Sequence, residues 1–159
     1  MASTMSLRID GEVERPQQFT WDALAALPAS AQVPDVSQVA PKKSGGAVRL
    51  AALLDACGLK PSARYLTLHA SRDDFHATIP LASVRGVALL IYRLGDEPLP
   101  AQQGGPLRFL IPDPAACGTH EVDECASVKF VDRLELTAEP GFDNRPADER
   151  AHAQLHAKA

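Results

Sequence analysis

Apolar and polar residues alternate along much of the chain, with the period of two that is typical of half-buried β-strands. The segments that have this pattern, or a continuous apolar run of strand length, are 7–13, 64–70, 75–79, 87–94, 107–111 and 128–137. The short polar turn Ser71–Asp74 separates the second segment from the third, so we predict that these two pair as a hairpin. The apolar run 87–94 predicts a central strand.

Two stretches have helical features instead. One apolar stripe at positions i, i+3, i+4 and i+7 consists of Leu50, Leu53, Leu54 and Cys57. Gly58 follows it, where a glycine commonly ends a helix. A shorter helix is predicted over Trp21–Leu27, with Thr20 as its N-cap. Between the two helices, 29–46 is predicted to be a long irregular loop, and such loops are often functional. The order of elements predicts a mixed α+β fold dominated by strands.

The composition limits the classes of function. With 159 residues, 45% of them hydrophobic, the chain is long enough for one domain with a real core, which we place at 7–138, followed by a polar tail at 139–159. The net charge of −4 argues against a nucleic-acid partner. No apolar run is long enough to span a membrane, and no secretory signal is visible. Three cysteines, an odd number, favour a reducing compartment, so we expect a cytoplasmic location.

The sequence GGPLRFLIP, from Gly104 to Pro112, combines a turn with the start of a buried strand. Gly104 and Gly105 let the backbone approach a ligand closely, and Arg108 is then held on a rigid strand. A guanidinium fixed in this way suits a phosphate or carboxylate, so we predict a small anionic ligand. The alternative is an ordinary turn whose arginine pairs with a surface acid.

Five pieces of the sequence, in this order, resemble the molybdopterin-binding domain of the sulfite oxidase family. The pieces are LRIDGEVERPQQFTWDALAALP, AVRLAALLDACGL, YLTLHASRDDF, GDEPLPAQQGGPLRFLIP and SVKFVDRLEL. They cover about residues 7–137. The resemblance implies an α+β fold of mixed, curved sheets with short helices, in which loops hold the pterin cofactor.

The resemblance also implies which residues would face the cofactor. Arg108 matches the arginine of the family's GGPLR block, Lys129 matches the lysine of its V-K-hydrophobic string, and both would lie near the pterin. Arg72 lies in the loop that matches the S-x-D-G-aromatic piece, although Asp74 stands here where the family has glycine. An anionic pterin phosphate requires such fixed cations and the backbone donors of a turn such as Gly104–Gly105.

One departure from the family concerns the metal. Enzymes of this family hold molybdenum through a cysteine in the loop after the first helix, and 29–46 contains none. Ser37 is the nearest polar residue by position, and a hydroxyl is a poor ligand for a thiolate-preferring centre. Cys57 lies on an apolar stripe and is expected to be buried. We therefore expect a molybdopterin-binding, oxidoreductase-like domain with altered or lost molybdenum ligation, served by a redox partner protein, and no sulfite oxidation. The alternative is a non-catalytic module that uses the pocket for another small anion, a different metal or a protein partner.

A second group of potential ligands lies between the last two predicted strands. Cys117, His120 and Cys125 have the spacing C-x2-H-x4-C, which supplies three ligands for zinc or iron. This is one ligand short of a closed structural site. The two cysteines could instead form a disulfide or stay as free thiols.

The remaining candidates have simpler interpretations. They are the tail pair His152 and His156, the hairpin histidines His69 and His76, the turn acids Asp73 and Asp74, and the patch formed by Lys42, Lys43, Gly45 and Gly46. We expect solvation for the tail pair, hydrogen bonding within the sheet for the hairpin histidines and capping for the acids. The patch could attract an anion or be a solvated loop.

Overall fold

The computed structural model describes residues 6–41, 43–113 and 127–144, and in these ranges the alternating segments form the strands of two sheets. The first sheet contains, in spatial order, β2 (Gln17–Thr20), β1 (Ser6–Gly11), β10 (Arg133–Thr137), β5 (Tyr65–Ala70) and β6 (Phe75–Pro80). β1 runs parallel to β10, and the other pairs are antiparallel. The predicted hairpin is confirmed as β5–β6, with Leu68 opposite Ala77.

The second sheet is built around the predicted central strand. Its members are β3 (Gln32–Val33), β4 (Gly46–Arg49), β7 (Leu89–Leu94), β8 (Glu97–Pro98) and β9 (Arg108–Leu110). β7 pairs with β4 along one edge, while β8 and β9 pair with the two ends of its other edge. β3 and the first residue of β4, Gly46, lie within the predicted loop 29–46. The side chains of this segment have no regular pattern, and backbone pairing does not require one.

Three short helices connect the strands: α1 (Trp21–Ala25), α2 (Leu50–Cys57) and α3 (Leu81–Val84). The predicted caps are confirmed, since Thr20 Oγ1 accepts a hydrogen bond from the Ala23 amide and Gly58 ends α2 with a φ of 72°. The predicted α+β class is confirmed. None of the helices among the described residues has both the length and the apolar character needed to cross a membrane.

The main core lies between the sheets and α2. Its fully buried members include Leu7, Ile9, Leu66, Leu68, Leu134 and Leu136 from the first sheet, Leu53, Leu54 and Cys57 from α2, and Leu90 and Phe109 from the second sheet. A smaller cluster, which includes Val36, Ala47 and Ile91, covers the other side of the second sheet. Because β9 contributes to the main core, the residue that begins this strand is held in a rigid frame.

The first sheet carries a chain of paired polar groups on the face away from the main core. Arg8 Nε and Arg133 Nε lie 2.8 and 3.0 Å from the two carboxylate oxygens of Asp10. The other end of the Arg133 guanidinium lies 3.6 Å from Glu135. The hydrogen bond that Arg133 donates to Asp10 raises the pKa of Arg133, with further contributions from neighbouring carboxylates. These charged groups therefore pair with one another within the first sheet.

The final predicted strand is shorter than its sequence pattern suggested. Alternation predicted a strand over 128–137, but β10 begins at Arg133. The preceding residues bond elsewhere: Val131 N donates to Leu107 O, and Phe130 takes a left-handed conformation with φ 57°. A long-range contact with the chain before β9 therefore replaces continued pairing.

Residues 141–144, which we call the strap, lie along β6 at the edge of the first sheet. Gly141 N donates to Thr78 Oγ1, and Thr78 N donates to Asp143 Oδ2, both at 3.0 Å. Asn144 and His76 exchange two hydrogen bonds, at 2.8 and 3.0 Å. Packed structure thus extends through Asn144. The boundary at 138 stays a prediction.

Candidate functional site

Gly104, Arg108 and Lys129 meet where the chain turns into β9. The short 3-10 turn Ala101–Gln103 ends at Gly104, which has a φ of 92°. A Cβ atom on Gly104 would lie 2.9 Å from Lys129 Cγ and 3.2 Å from Arg108 Cδ. Only glycine suits both this conformation and this space. We call these three residues the cation site.

Backbone hydrogen bonds hold the two halves of the cation site together. Phe130 N donates to Gly104 O at 2.8 Å, immediately after Lys129. On the other side of Lys129, Phe109 N donates to Val128 O, also at 2.8 Å. Lys129 is therefore fixed beside Arg108 by its two chain neighbours, although its own side chain is exposed.

Arg108 is a cation without a protein counter-charge in the described part of the chain. Its Nε atom is buried and has no hydrogen-bond partner. Burial lowers the pKa of Arg108, yet a guanidinium remains charged at any physiological pH. A buried charged donor left unsatisfied is costly, so an anion supplied from outside would be stabilised here. The alternative expectation of an arginine paired with a surface acid is not met among the described residues.

Gly105 supports the turn by packing against the backbone. Its amide donates to Pro100 O at 2.9 Å, and its peptide bond with Pro106 is cis. A Cβ atom on Gly105 would overlap the Leu99 carbonyl oxygen. The contacts of Gly105 are thus with the chain itself, and its predicted role toward a cofactor stays a prediction.

Arg72 reaches the edge of the cation site through an aromatic ring. Its guanidinium carbon lies 4.2 Å from the centroid of the Phe130 ring, a cation–π contact next to Lys129. The turn that carries Arg72 ends at Asp74, which adopts a left-handed conformation with φ 49°. Asp74 therefore has the backbone conformation that the family's glycine adopts readily.

Ser37 is engaged within its own loop. Its hydroxyl donates to Asp35 Oδ1 at 2.6 Å, and its amide donates to the same oxygen at 3.0 Å. These two bonds lower the pKa of Asp35. The loop itself is tied to the cation site by Ser44, whose Oγ donates to Gln103 Oε1 at 3.1 Å, one residue before Gly104. The observed contacts therefore join the loop to the site, but not Ser37.

Among the described residues, the free cysteine is Cys57, and it does not face the cation site. Its side chain is fully buried on the inner side of α2, as expected from the apolar stripe. Burial raises the pKa of the Cys57 thiol to about 11, so it is a neutral thiol at physiological pH. A protonated, enclosed sulfur cannot act as a metal ligand without deprotonation.

Several predicted ligands lie outside the described residues. They are Cys117, His120, Cys125, His152, His156 and Lys42. Over the ranges that are described, no group of three or more His, Cys, Asp or Glu side chains has a geometry that would hold a metal ion.

In the patch formed by Lys42, Lys43, Gly45 and Gly46, the Arg93 guanidinium lies so close to Gly46 that a Cβ on Gly46 would be 2.6 Å from Arg93 Cζ.

Sequence reasoning missed two residues that organise the site, Gln103 and Phe130. Phe130 stands in the SVKF string, but nothing in the string signals its left-handed conformation. Gln103 precedes the two glycines and carries no motif signal. Both act through contacts between segments distant in the chain, which no local pattern records.

Comparison with known proteins identifies a matching family and a structure of similar fold. A protein-family profile described as "Oxidoreductase molybdopterin binding domain" matches residues 42–144. The crystal structure of the sulfane dehydrogenase SoxCD from Paracoccus pantotrophus is similar in fold, with a TM-score of 0.59 and 22% sequence identity. The similarity covers 86% of this chain but only 39% of that one. A comparison with curated protein sequences finds no match.

Proposed function

Because the chain belongs to the oxidoreductase molybdopterin-binding domain family, we propose that the cation site binds the anionic end of a molybdopterin cofactor. Arg108 would donate to the phosphate through its unpartnered Nε, and Lys129 would add a second charge from the neighbouring segment. The turn at Gly104 leaves room for the Lys129 and Arg108 side chains to pack against the backbone. Arg72, held over Phe130, would close one side, and the loop 29–46 would line another.

The observation that carries this proposal is the unsatisfied Nε of Arg108. Proteins rarely bury a charged donor without a partner, and exceptions are often found at sites that complete themselves with a ligand. Lys129 lies beside it and likewise forms no ion pair with a described residue. Two adjacent cations without acids are costly for an isolated fold and favourable for a phosphate site.

The residues fit the anionic end of the cofactor better than they fit its metal. The loop 29–46 offers no thiol, the Ser37 hydroxyl already donates to Asp35, and Cys57 is enclosed and neutral. We therefore propose that molybdenum, when present, is held with altered protein ligation or without a protein ligand. Cys117, His120 and Cys125 are the remaining candidates for a metal ligand set.

A second candidate function follows from the same mismatch. A domain of this fold without a thiolate ligand could be a non-catalytic module that binds another small anion, a different metal or a protein partner in the same pocket. Folds host unrelated functions, so the cation site rather than the fold must decide. If the domain is an oxidoreductase, we propose that a redox partner protein serves it. We also propose a cytoplasmic location, on the basis of the odd number of cysteines.

Cofactor loading tests the proposal directly. The protein should be made in a host with an intact pterin pathway and supplied molybdate, and then analysed for bound molybdenum and for bound pterin. We expect bound pterin in the unmodified protein. The variant R108A should lose it, whereas R85A, which removes an exposed arginine at the end of α3, should retain it.

The outcomes separate the two functions. Pterin with molybdenum supports a molybdenum-bearing domain, and pterin without the metal supports lost ligation. A chain that carries no pterin but binds inorganic phosphate in an Arg108-dependent manner supports the binding module. If R108A binds both pterin and phosphate as well as the unmodified protein does, the role proposed for the cation site is wrong.

A further inference from the structure

Two histidines face each other on the hairpin β5–β6. The Nδ1 atoms of His69 and His76 lie 2.7 Å apart, and both side chains are largely buried. The other nitrogen of each ring meets a carboxylate. His69 Nε2 lies 3.0 Å from Glu135 Oε1, and His76 Nε2 lies 2.8 Å from Asp74 Oδ1.

This arrangement determines where a proton can lie between the rings. Each Nε2 faces a carboxylate acceptor, so an N–H on each Nε2 satisfies both contacts. Between the two Nδ1 atoms, 2.7 Å apart, one must donate and the other must accept. In this geometry, a single proton therefore lies between the rings of His69 and His76.

The same geometry argues against a metal ion between the rings. The ring centroids lie 5.0 Å apart, close to the N–N distance plus the two ring radii, so the Nδ1 lone-pair axes point almost directly at each other. A metal bound by both nitrogens at about 2.0–2.1 Å each would force them further apart. No third ligand joins His69 and His76 among the described residues.

The pair is also the anchor of the strap. His76 N donates to Asn144 Oδ1, Asn144 Nδ2 donates to Asp74 O at 2.6 Å, and the Phe142 ring packs edge-on against the His76 ring at 4.9 Å. Phe142 is the strap residue that touches the His76 ring, while Asn144 bonds to backbone atoms of His76 and Asp74. A movement of this ring would therefore break the Phe142 contact directly and would reach Asn144 through the backbone of β6.

We propose that the His69–His76 pair is a proton-operated latch. It holds the strap on β6 when the two Nδ1 atoms share one proton, and it releases the strap when each Nδ1 carries a proton. A proton on each Nδ1 would set two N–H groups and two like charges against each other at 2.7 Å, which forces the rings apart. The Phe142 contact would then be lost, and the accompanying shift of the β6 backbone would break the bonds of Asn144.

Charged groups surround the pair and its immediate partners. They are Glu135 and Arg133 on β10, Asp132 immediately before β10, Asp10 and Arg8 on β1, Asp74 on the turn, and Asp143 on the strap. Carboxylates outnumber guanidiniums in this set, so these groups attract a positive charge on the rings. The contact between two N–H groups opposes a second charge.

Release of the strap would uncover an edge strand. β6 is the last strand of its sheet, and the strap occupies the backbone amides of His76 and Thr78. Uncovered edge amides are the surface on which extended peptides add to a sheet. The latch would thus couple acidification to the exposure of a strand-pairing surface.

Nuclear magnetic resonance of the full chain between about pH 8 and pH 5, the range in which histidines change charge, tests the latch. At the upper end, ring-nitrogen spectra should show both Nε2 atoms protonated and one proton shared between the Nδ1 atoms. On acidification, the Phe142 and Asn144 signals should shift together, and the Thr78 amide should exchange faster relative to the Leu68 amide.

Variants of the chain separate the latch from general acid effects. H69Q should abolish the coordinated shift, and E135Q, which keeps an acceptor but removes a charge, should move it to lower pH. The double variant H152Q/H156Q removes two histidines that are far along the chain and should leave it unchanged. Ring spectra with a proton on neither Nδ1, or an unchanged strap response in H69Q, would overturn the proposal.

Discussion

Two arginines begin strands in the part of the chain that the structure describes, and they differ in what surrounds them. Arg133 opens β10 and lies within reach of both Asp10 and Glu135, which raise its pKa. Arg108 opens β9, has a buried Nε without a partner, and has its pKa lowered by burial. The fold thus pairs one guanidinium with two carboxylates and leaves the Nε of the other without a partner.

The contrast separates stability from binding. A paired arginine contributes to the folded state, although a partly exposed pair contributes little. A half-buried arginine whose enclosed Nε has no partner makes the fold less stable than it could be, and such a cost is common at ligand sites. Arg133 is therefore expected to act on the sheet, and Arg108 on a ligand.

The largest expected effect is the loss of binding in R108A. Charge-assisted hydrogen bonds contribute about 1.5–3 kcal/mol, so affinity for phosphate or pterin should fall about 10- to 100-fold. The unfolding free energy should stay the same or rise, because no ion pair is lost. Titration calorimetry and urea denaturation measure the two quantities. R133A is the matched control and should show the opposite pattern.

Removal of the carboxylate that pairs Arg133 should be next in size. D10A removes the acceptor of Arg8 Nε and of Arg133 Nε and leaves Arg133 with Glu135, and we expect the free energy of unfolding to fall by about 1–2 kcal/mol. Binding of phosphate should not change. Urea denaturation checks this, and a stability equal to that of the unmodified protein would show that the pair is energetically neutral.

Substitution of the second cation should weaken binding less than R108A does. Lys129 is exposed, so its charge is screened by water and salt. K129A should reduce phosphate affinity about 3- to 10-fold at low salt, and less as salt increases. Affinity measured over a salt series checks this. If K129A has the larger effect at every salt concentration, Lys129 rather than Arg108 is the main anion ligand.

A smaller effect is expected from Arg72. Its cation–π contact with Phe130 is worth about 0.5–1 kcal/mol at an exposed position. R72A should therefore change phosphate affinity no more than about fivefold, through the position of the 129–130 segment. The variant R72K keeps the charge and should recover part of the loss. A loss as large as that of R108A would make Arg72 a direct ligand.

The smallest expected effect on phosphate binding is that of Ser37. Like Arg133, Ser37 already bonds to a carboxylate of the protein, Asp35. Because the bonds from Ser37 lower the pKa of Asp35, they favour the folded state fully above the ordinary pKa of an aspartate, and their contribution is lost as the pH falls through the lowered pKa. S37A should return the pKa of Asp35 toward its ordinary range, as seen by carboxyl-carbon resonance, without affecting phosphate binding. A change in binding would place Ser37 in the site.

The sequence predicted those elements whose cause is local. The hairpin β5–β6 follows from alternation, α2 from its apolar stripe and Gly58, and the start of α1 from Thr20. Sequence pattern could not reveal that residues 128–131 leave the strand pattern to bond with 104–109, nor that the strap returns to β6. Both depend on contacts between distant segments, whose partners no local pattern specifies.

The same distinction applies to the candidate site. Arg108 drew notice because glycines precede it and a buried strand follows. Its closeness to Lys129 came from resemblance to a family, since nothing in the spacing of two separate segments implies it. The histidine latch was also missed, because alternation placed His69 and His76 on a polar face without showing that they are cross-strand neighbours.

The position of β10 has a consequence for the order in which the chain can fold. β10 lies between β1 and β5, and its Arg133 reaches Asp10, 123 positions earlier. Until β10 has left the ribosome, β1–β2 and β5–β6 are two-stranded ribbons, which are marginally stable alone. Their apolar faces stay accessible for most of synthesis, so the growing chain is most prone to aggregation shortly before its last described strand emerges.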